Sequence, residues 1–393
     1  MKIAILTCGI LPIPAVQGGA VENLIDFYLD YNDRMRLHDI TVYSPWDARV
    51  ESHPARSSAV NHYHFIDVTS LKSRISRRLY MHSHSDEYYN HFIEYYFERI
   101  YADLNGRDYD CILLENCPGY VLKLSGRGFS NLVLHLHNEL LHAASPHHNA
   151  IFGGLSKIIT VSDYIRGSVA TIKGDSKICT VYNGIDLGKF CRKECPSVTR
   201  EELGFTKDDF VMIYSGRINR DKGVSELIDA MLRLRGCAKM KLLIVGGTFF
   251  GNAPSDDDFV RSLKAKAMAI KDRIVFTGFV PYDSMPGYLQ LADVAVVPSV
   301  WHDPFPTTVL EAQAMGLPVV STRQGGIPEE VSASNAILVD NDKNIVEHLA
   351  QAIQHLYDHP AERQQMSSAS LRRARLFDRD TFACNFFAAL AAR

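Results

Sequence analysis

Asp303 and Glu311 stand eight positions apart in the stretch WHDPFPTTVLEAQAMGLPVV, which runs from Trp301 to Val320. Between them lie the turn Pro304-Phe305-Pro306 and the hydroxyls of Thr307 and Thr308. A polar loop here feeds a short helix and then a buried strand. The N–H groups of a helix start and two carboxylates can then face one polyhydroxylated, phosphorylated ligand. Cations come from a second loop, Ser215-Gly216-Arg217-Ile218-Asn219-Arg220-Asp221-Lys222-Gly223, which closes a strand at the end where parallel sheets bind ligands. Arg217 as a planar fork and Lys222 as a point charge could neutralise a diphosphate. An Arg/Lys loop alone is more often solvated surface. The 303–311 segment tips the reading toward a ligand.

Other residue groups carry weaker signals. Gln17-Gly18-Gly19-Ala20 follows the first strand and opens a helix near Val21, so its glycines let a backbone approach an anion at a helix start. The pattern is not GxGxxG, and a plain strand-to-helix turn is the alternative. His135-Leu136-His137-Asn138 sets two histidines on one side of a strand. No carboxylate or cysteine completes a metal-binding spacing, so no metal is expected, and His137, nearest the strand end, is expected to act by hydrogen bonding. Asp256-Asp257-Asp258 reads as acidic residues complementing a helix dipole near Phe259. Lys72, Arg74, Arg77 and Arg78, interleaved with Leu71, Ile75, Leu79 and Tyr80, fit either an anionic membrane surface contacted through 71–80 or a solvated basic helix.

These residues need rigid elements to hold them. At 393 residues two domains are expected, and a net charge of −3 gives no global field for nucleic acid. Apolar β-rich runs at 2–7, 40–44, 110–115, 132–137, 157–162 and 178–182 alternate with helical patterns. The scheme repeats at 210–215, 241–246, 273–277, 293–298, 318–322 and 336–340. This predicts an α/β chain with two doubly wound parallel sheets, divided near Asn183-Gly184-Ile185-Asp186. Helices are expected at 343–357, 360–375 and 379–392. Phe377, Phe382, Phe386 and Phe387 are expected to make the last strongly apolar on one side, so it must pack on something. Scattered cysteines read as reduced thiols of a cytoplasmic protein. The N-terminal MKIAILTCGILPIPAV imitates a signal peptide but is broken by Pro12 and Pro14. No apolar run is long enough to span a membrane.

With these residues assembled, the chain resembles glycosyltransferase family 4, the retaining "glycosyl transferases group 1" enzymes of GT-B fold. The carriers are Gly18-Gly19, Val161-Ser162-Asp163, Asn183-Gly184-Ile185-Asp186, Gly216-Arg217 with Lys222-Gly223, Phe276-Thr277-Gly278-Phe279-Val280, Pro298-Ser299 and the 303–320 segment. The resemblance implies two Rossmann-like domains facing a cleft. The first would be 1–187, binding the acceptor, with 377–393 crossing back to it; 188–376 would bind the donor. It further implies that Arg217 and Lys222 hold the diphosphate, with Gly18, Gly19 and Gly216 close to it and Phe305, Pro306, Thr307 and Thr308 around it. Glu311 would bind the ribose, Phe279 and Val280 the base, and His137 would lie near the donor sugar. The family's first motif glutamate is Asp303 here, shorter by one methylene, which bears on sugar placement by about 1–3 kcal/mol.

The expected reaction moves a hexose or N-acetylhexosamine from a nucleoside-diphosphate sugar, UDP-linked by preference, to a hydroxyl of a glycan or lipid-linked glycan in bacterial surface polysaccharide synthesis. No cofactor or metal is expected; the nucleotide sugar is a co-substrate. The enzyme is expected in the cytoplasm, either free or peripheral at the inner face of the membrane. A nucleotide-sugar 2-epimerase and a catalytically silent sugar-nucleotide-binding protein are the alternatives.

Overall fold

The computed structural model describes the chain apart from residues 84–90, 195–196, 235, 248–257 and 393. It divides into two compact units, Met1–Tyr182 with Asp380–Arg393, and Asn183–Arg379.

The first unit holds a seven-stranded parallel sheet. Its strands are β1 (Lys2–Leu6), β2 (Asp39–Pro45), β3 (Asn61–Ile66), β4 (Cys111–Glu115), β5 (Leu132–Leu136), β6 (Lys157–Thr160) and β7 (Ile178–Thr180). They lie in the order 3-2-1-4-5-6-7. Helices cover both faces of such a sheet, which is why CILLE in β4 and LVLHL in β5 are buried at every position. β3 escaped the sequence pattern: its NHYHFI is polar and, among the described residues, pairs only with β2, at the sheet edge.

One core of this unit is closed by the helix Arg379–Ala391, whose Phe382, Phe386 and Phe387 are buried with Ile3, Ile5, Leu24 and Tyr28. Phe386 stacks on Tyr28 with ring centroids 4.5 Å apart. Lys157 binds the carbonyls of Ala389 and Ala392, cations at a helix C-terminus being favourable.

The second unit repeats the plan with six parallel strands, β8 (Phe210–Ser215), β9 (Met240–Val245), β10 (Ile274–Gly278), β11 (Val294–Val297), β12 (Val319–Thr322) and β13 (Ala336–Val339), in the order 10-9-8-11-12-13. The helices Ile345–Asp358 and Pro360–Ala374 belong to this unit.

Residues 183–187 and 377–379, assigned from sequence to the first domain, sit with the second. Asn183 donates through Nδ2 to the Phe305 carbonyl at 3.0 Å, and Asp186 pairs with Arg379 at 2.9 Å. Asp256, Asp257 and Cys195 lie outside the described residues; Asp258 opens the helix Asp258–Ala267. The described cysteines are free thiols. Among the described residues no helix is long and apolar enough to cross a membrane.

Candidate functional site

In the second sheet the strand order reverses between β8 and β11, and crevices for ligands open outside the carboxyl ends of strands at such a point. The loops leaving these two strands carry most of the residues singled out by sequence. They are laced together. The Asp221 carbonyl accepts from the N–H groups of Val300 (2.9 Å) and Trp301 (3.2 Å) and from the Ser299 hydroxyl (3.3 Å). Gly223 makes this approach possible. Its φ is 68°, and a Cβ there would sit 1.8 Å from the Pro298 carbonyl oxygen. Gly223→Ala is therefore expected to cost about 3 kcal/mol or more, read as a drop in the thermal midpoint. An unshifted midpoint would mean that the two loops separate freely.

The structure brings Lys222 and Asp303 together as an ion pair. The Lys222 ammonium also lies 5.9 Å from the Trp301 ring centroid. Asp303 is 5% exposed, and its carbonyl accepts from the Gly326 N–H at 2.8 Å, so its backbone is fixed from the β12 side as well. Arg217 is exposed, and its carbonyl accepts from the Tyr214 hydroxyl at 2.5 Å. Burial, then the nearby Asp303 charge, pushes the Tyr214 phenol far up, so it stays a donor. Gly216, between Tyr214 and Arg217, has φ 136°.

Pro306 precedes the helix Thr307–Ala314 with φ −70° and ψ 118°, an extended entry. The first-turn N–H groups of such a helix lack intrahelical acceptors, and Thr307 and Thr308 there are half-buried. Glu311 follows one turn later and is buried. Burial lifts its carboxyl to about 7, against the opposing pull of the Thr307 hydroxyl and the Lys189 charge. Lys189 itself pairs with Asp283 at 2.6 Å and lies over the Tyr282 ring. Phe279, 36% exposed, and the half-buried Val280 leave the carboxyl end of β10. Phe305 corrects one expectation. Its ring is buried edge-on against Phe377, centroids 5.7 Å apart, so only its backbone can meet a ligand.

Gly18, Gly19 and His137 belong to the first unit. Gly19, with φ 112°, immediately precedes the helix Ala20–Met35, and a Cβ on it would lie 2.0 Å from a Glu22 oxygen. Burial raises the Glu22 carboxyl to about 7, with Asp26 and Glu115 adding to the rise.

The histidines have the carboxylate that sequence spacing did not reveal. Glu115 ends β4 and is the register partner of His135 on β5. Its Oε2 lies 3.0 Å from His135 Nδ1 and 3.1 Å from His137 Nε2, and Tyr28 donates to its Oε1 at 2.8 Å. Glu115, His135 and His137 thus offer three ligand atoms within 4.8 Å of one another, a set of the kind that holds zinc. Burial alone would raise the Glu115 carboxyl, but the two histidines override it and keep the group ionised. Burial, with His135 adding to it, pushes the His137 ring down to about 4.

Sequence reasoning missed Glu115, Tyr28, Lys189 and Tyr282. The one available signal was a glutamate closing an otherwise apolar strand.

Residues 197–373 match the family described as glycosyl transferases group 1. The putative glycosyltransferase YtcC of Bacillus subtilis is 28% identical over 365 residues, covering 90% of this chain and 82% of that protein. Spore coat protein SA of the same organism is 26% identical over 95% of this chain and 94% of its own length. Among solved structures, Anabaena HepE in complex with UDP superposes with a TM-score of 0.73 at 22% identity over the full length of both chains. Sucrose-phosphate synthase from Thermosynechococcus elongatus does so with a TM-score of 0.76 at 19% identity, covering 99% of this chain and 98% of that one. On a fold shared with GT-B enzymes, residues 197–373, within the second unit, carry the sequence of the group 1 glycosyl transferases.

Proposed function

We propose that the chain transfers a hexose or N-acetylhexosamine from a nucleoside-diphosphate sugar to a hydroxyl of a glycan or lipid-linked glycan, with retention of the anomeric configuration. The observation that carries this reading is the meeting of Lys222 and Asp303 at the switch point of the second sheet, next to a helix start that leads to a buried Glu311. Lys222, Arg217 and the helix N-terminus stabilise the departing diphosphate, where negative charge grows. Gly216, Pro306, Thr307 and Thr308 present backbone and hydroxyl groups to it. Glu311 accepts from the ribose hydroxyls, and Phe279 and Val280 support the base. Asp303 holds a hydroxyl of the sugar while pairing with Lys222, a double duty that suits its shorter side chain. In the first unit, Gly18 leaves open space just before the start of the helix Ala20–Met35, where an anion is favoured, and His137 receives a hydroxyl.

The bond from the anomeric carbon to the diphosphate breaks while the acceptor oxygen bonds to the same face. The acceptor's proton passes to the leaving phosphate. This balances without a metal or cofactor. UDP is the preferred nucleotide, supported by the complexes of HepE with UDP and with UDP-glucose. The helix Leu71–Ser83 supports a lipid-linked acceptor: Leu71, Ile75 and Leu79 are exposed on it among Lys72, Arg74, Arg77 and Arg78. It suits a cytoplasmic enzyme touching the inner face of a bacterial membrane.

A panel of UDP- and GDP-sugars, scored for nucleoside-diphosphate release, tests the donor class. UDP-hexose turnover that persists in EDTA, giving a product of unchanged anomeric configuration by proton NMR, is expected. Release of an epimerised sugar nucleotide, or complete loss on chelation, would overturn the reading.

A further inference from the structure

The Glu115 cluster does more than fill space. Three donors converge on a single buried carboxylate: the Tyr28 hydroxyl at 2.8 Å, His135 Nδ1 at 3.0 and 3.2 Å from its two oxygens, and His137 Nε2 at 3.1 Å. Glu115 is 1% exposed and His135 is fully buried. An ionised carboxylate can only accept, so each of these atoms must bring its proton to Glu115. The 3.2 Å contact between His135 Nδ1 and His137 Nε2 is then two N–H groups aimed side by side at one oxygen. The proton of a neutral His137 ring is fixed on Nε2, and its Nδ1 keeps a lone pair.

The surrounding packing keeps the arrangement rigid. The His137 backbone N–H donates to Asn116 Oδ1 at 3.1 Å. The His135 ring lies 4.9 Å from that of Phe386, which also stacks on Tyr28. Among the described residues His135 Nε2 is buried with no partner, so that ring is committed to the carboxylate through Nδ1 alone.

We propose that Glu115 is the positioning residue of His137: with Tyr28 and His135 it pins the ring through Nε2, so that Nδ1 is presented as a hydrogen-bond acceptor for a hydroxyl of the sugar substrate. The proposal rests on the reading of the chain as a sugar transferase. It adds a role for a residue that touches no substrate, and an imidazole acceptor selects a hydroxyl over a phosphate oxygen, which has no proton to give.

Two arms test it on the full chain. In the first, histidine-15N-labelled protein is observed by long-range proton–nitrogen correlation at pH 7, with His137 assigned by its loss in His137→Ala. The expected wild-type signal is the pure Nε2–H tautomer, shifting toward a mixture in Glu115→Gln. A mixed or Nδ1–H tautomer in the wild type overturns the proposal, as does a wild-type signal unchanged in Glu115→Gln. So does one equivalent of zinc in the purified protein, which would make the cluster a metal site.

In the second arm, UDP release from the best donor of the panel is measured. Glu115→Gln is expected to lower kcat on the order of tenfold to a hundredfold with the donor KM nearly unchanged. It should cause no further loss in a His137→Ala background. Independent, multiplying losses would indicate a merely structural role and sink the proposal. Should Glu115→Gln fold poorly, Tyr28→Phe removes one donor while keeping the ring stack, and a smaller tautomer shift is expected. A wild type that turns over no donor refutes the transferase reading, whereas the tautomer arm decides the pinning by itself.

Discussion

Lys222→Ala is expected to cut turnover of the nucleotide sugar by on the order of 10²–10³-fold, the usual effect of removing a group aimed at developing transition-state charge. The same change should also destabilise the second unit. Asp303 is 5% exposed and paired to this ammonium, so truncation leaves a buried carboxylate without its cation. Breaking such a pair costs about 3–5 kcal/mol when fully buried, and less here because the Lys222 side chain is 20% exposed. The two effects separate in the double variant. Lys222→Ala with Asp303→Asn removes both charges and should regain most of the lost thermal stability while turnover stays low. If the double variant regained activity as well, the lysine would be a structural cation and the diphosphate would have to be held elsewhere. Full turnover in Lys222→Ala itself would end the assignment.

Glu311 supports a prediction in pH. Its folded carboxyl is raised to about 7 from an ordinary 4.5 by burial, so the folded state favours the protonated form. The stability this confers is fully present below about 4.5 and is lost as pH rises through 7, by about 3 kcal/mol in all. Glu311→Gln keeps the shape and drops the charge. It should therefore melt higher than wild type at pH 8, with the difference vanishing near pH 4. Binding should move the other way. A ribose diol needs the ionised carboxylate as a twofold acceptor, and hydrogen bonds to a charged group contribute about 1.5–3 kcal/mol each. UDP affinity measured by calorimetry should thus fall by roughly 10–100-fold in the variant at pH 8. As pH drops below 7, wild type and Glu311→Gln should converge, the comparison cancelling the titration of the diphosphate itself. Identical UDP affinity at pH 8 would place the ribose away from Glu311.

Much of this architecture was legible in the sequence because both sheets are parallel. Strands buried on both faces must be continuous apolar runs, and VAVV of β11 or CILLE of β4 can hardly be anything else. β3 lacked that signature since an edge strand tolerates the histidines of NHYHFI. The second-unit site was legible because Lys222 and Asp303 leave strands in separate, recognisable local patterns. What stayed hidden is whatever depends on which strands neighbour one another. Glu115 and His135 are 20 residues apart, and only the β4–β5 register joins them. Lys189 and Tyr282 approach Glu311 from distant loops for the same reason. Phe305 shows the reverse failure, a residue inside the most informative segment whose side chain serves the core.

The helix Arg379–Ala391 has a consequence for how the chain is made. A ribosome delivers Met1–Tyr182 first, yet the first unit needs residues 380–393 to be whole. Some 200 residues of the second unit intervene, roughly 10–40 s of synthesis at about 5–20 residues per second. During that interval the apolar surface around Tyr28, Leu24 and Ile5 waits without Phe382, Phe386 and Phe387. The second unit, contiguous from Asn183 to Arg379, has all of its sequence before the first can finish. The nascent chain thus exposes its N-terminal core longest, the state in which holdase chaperones bind and aggregation begins. A premature stop just before residue 380 would spare the later-made unit and strand the earlier one.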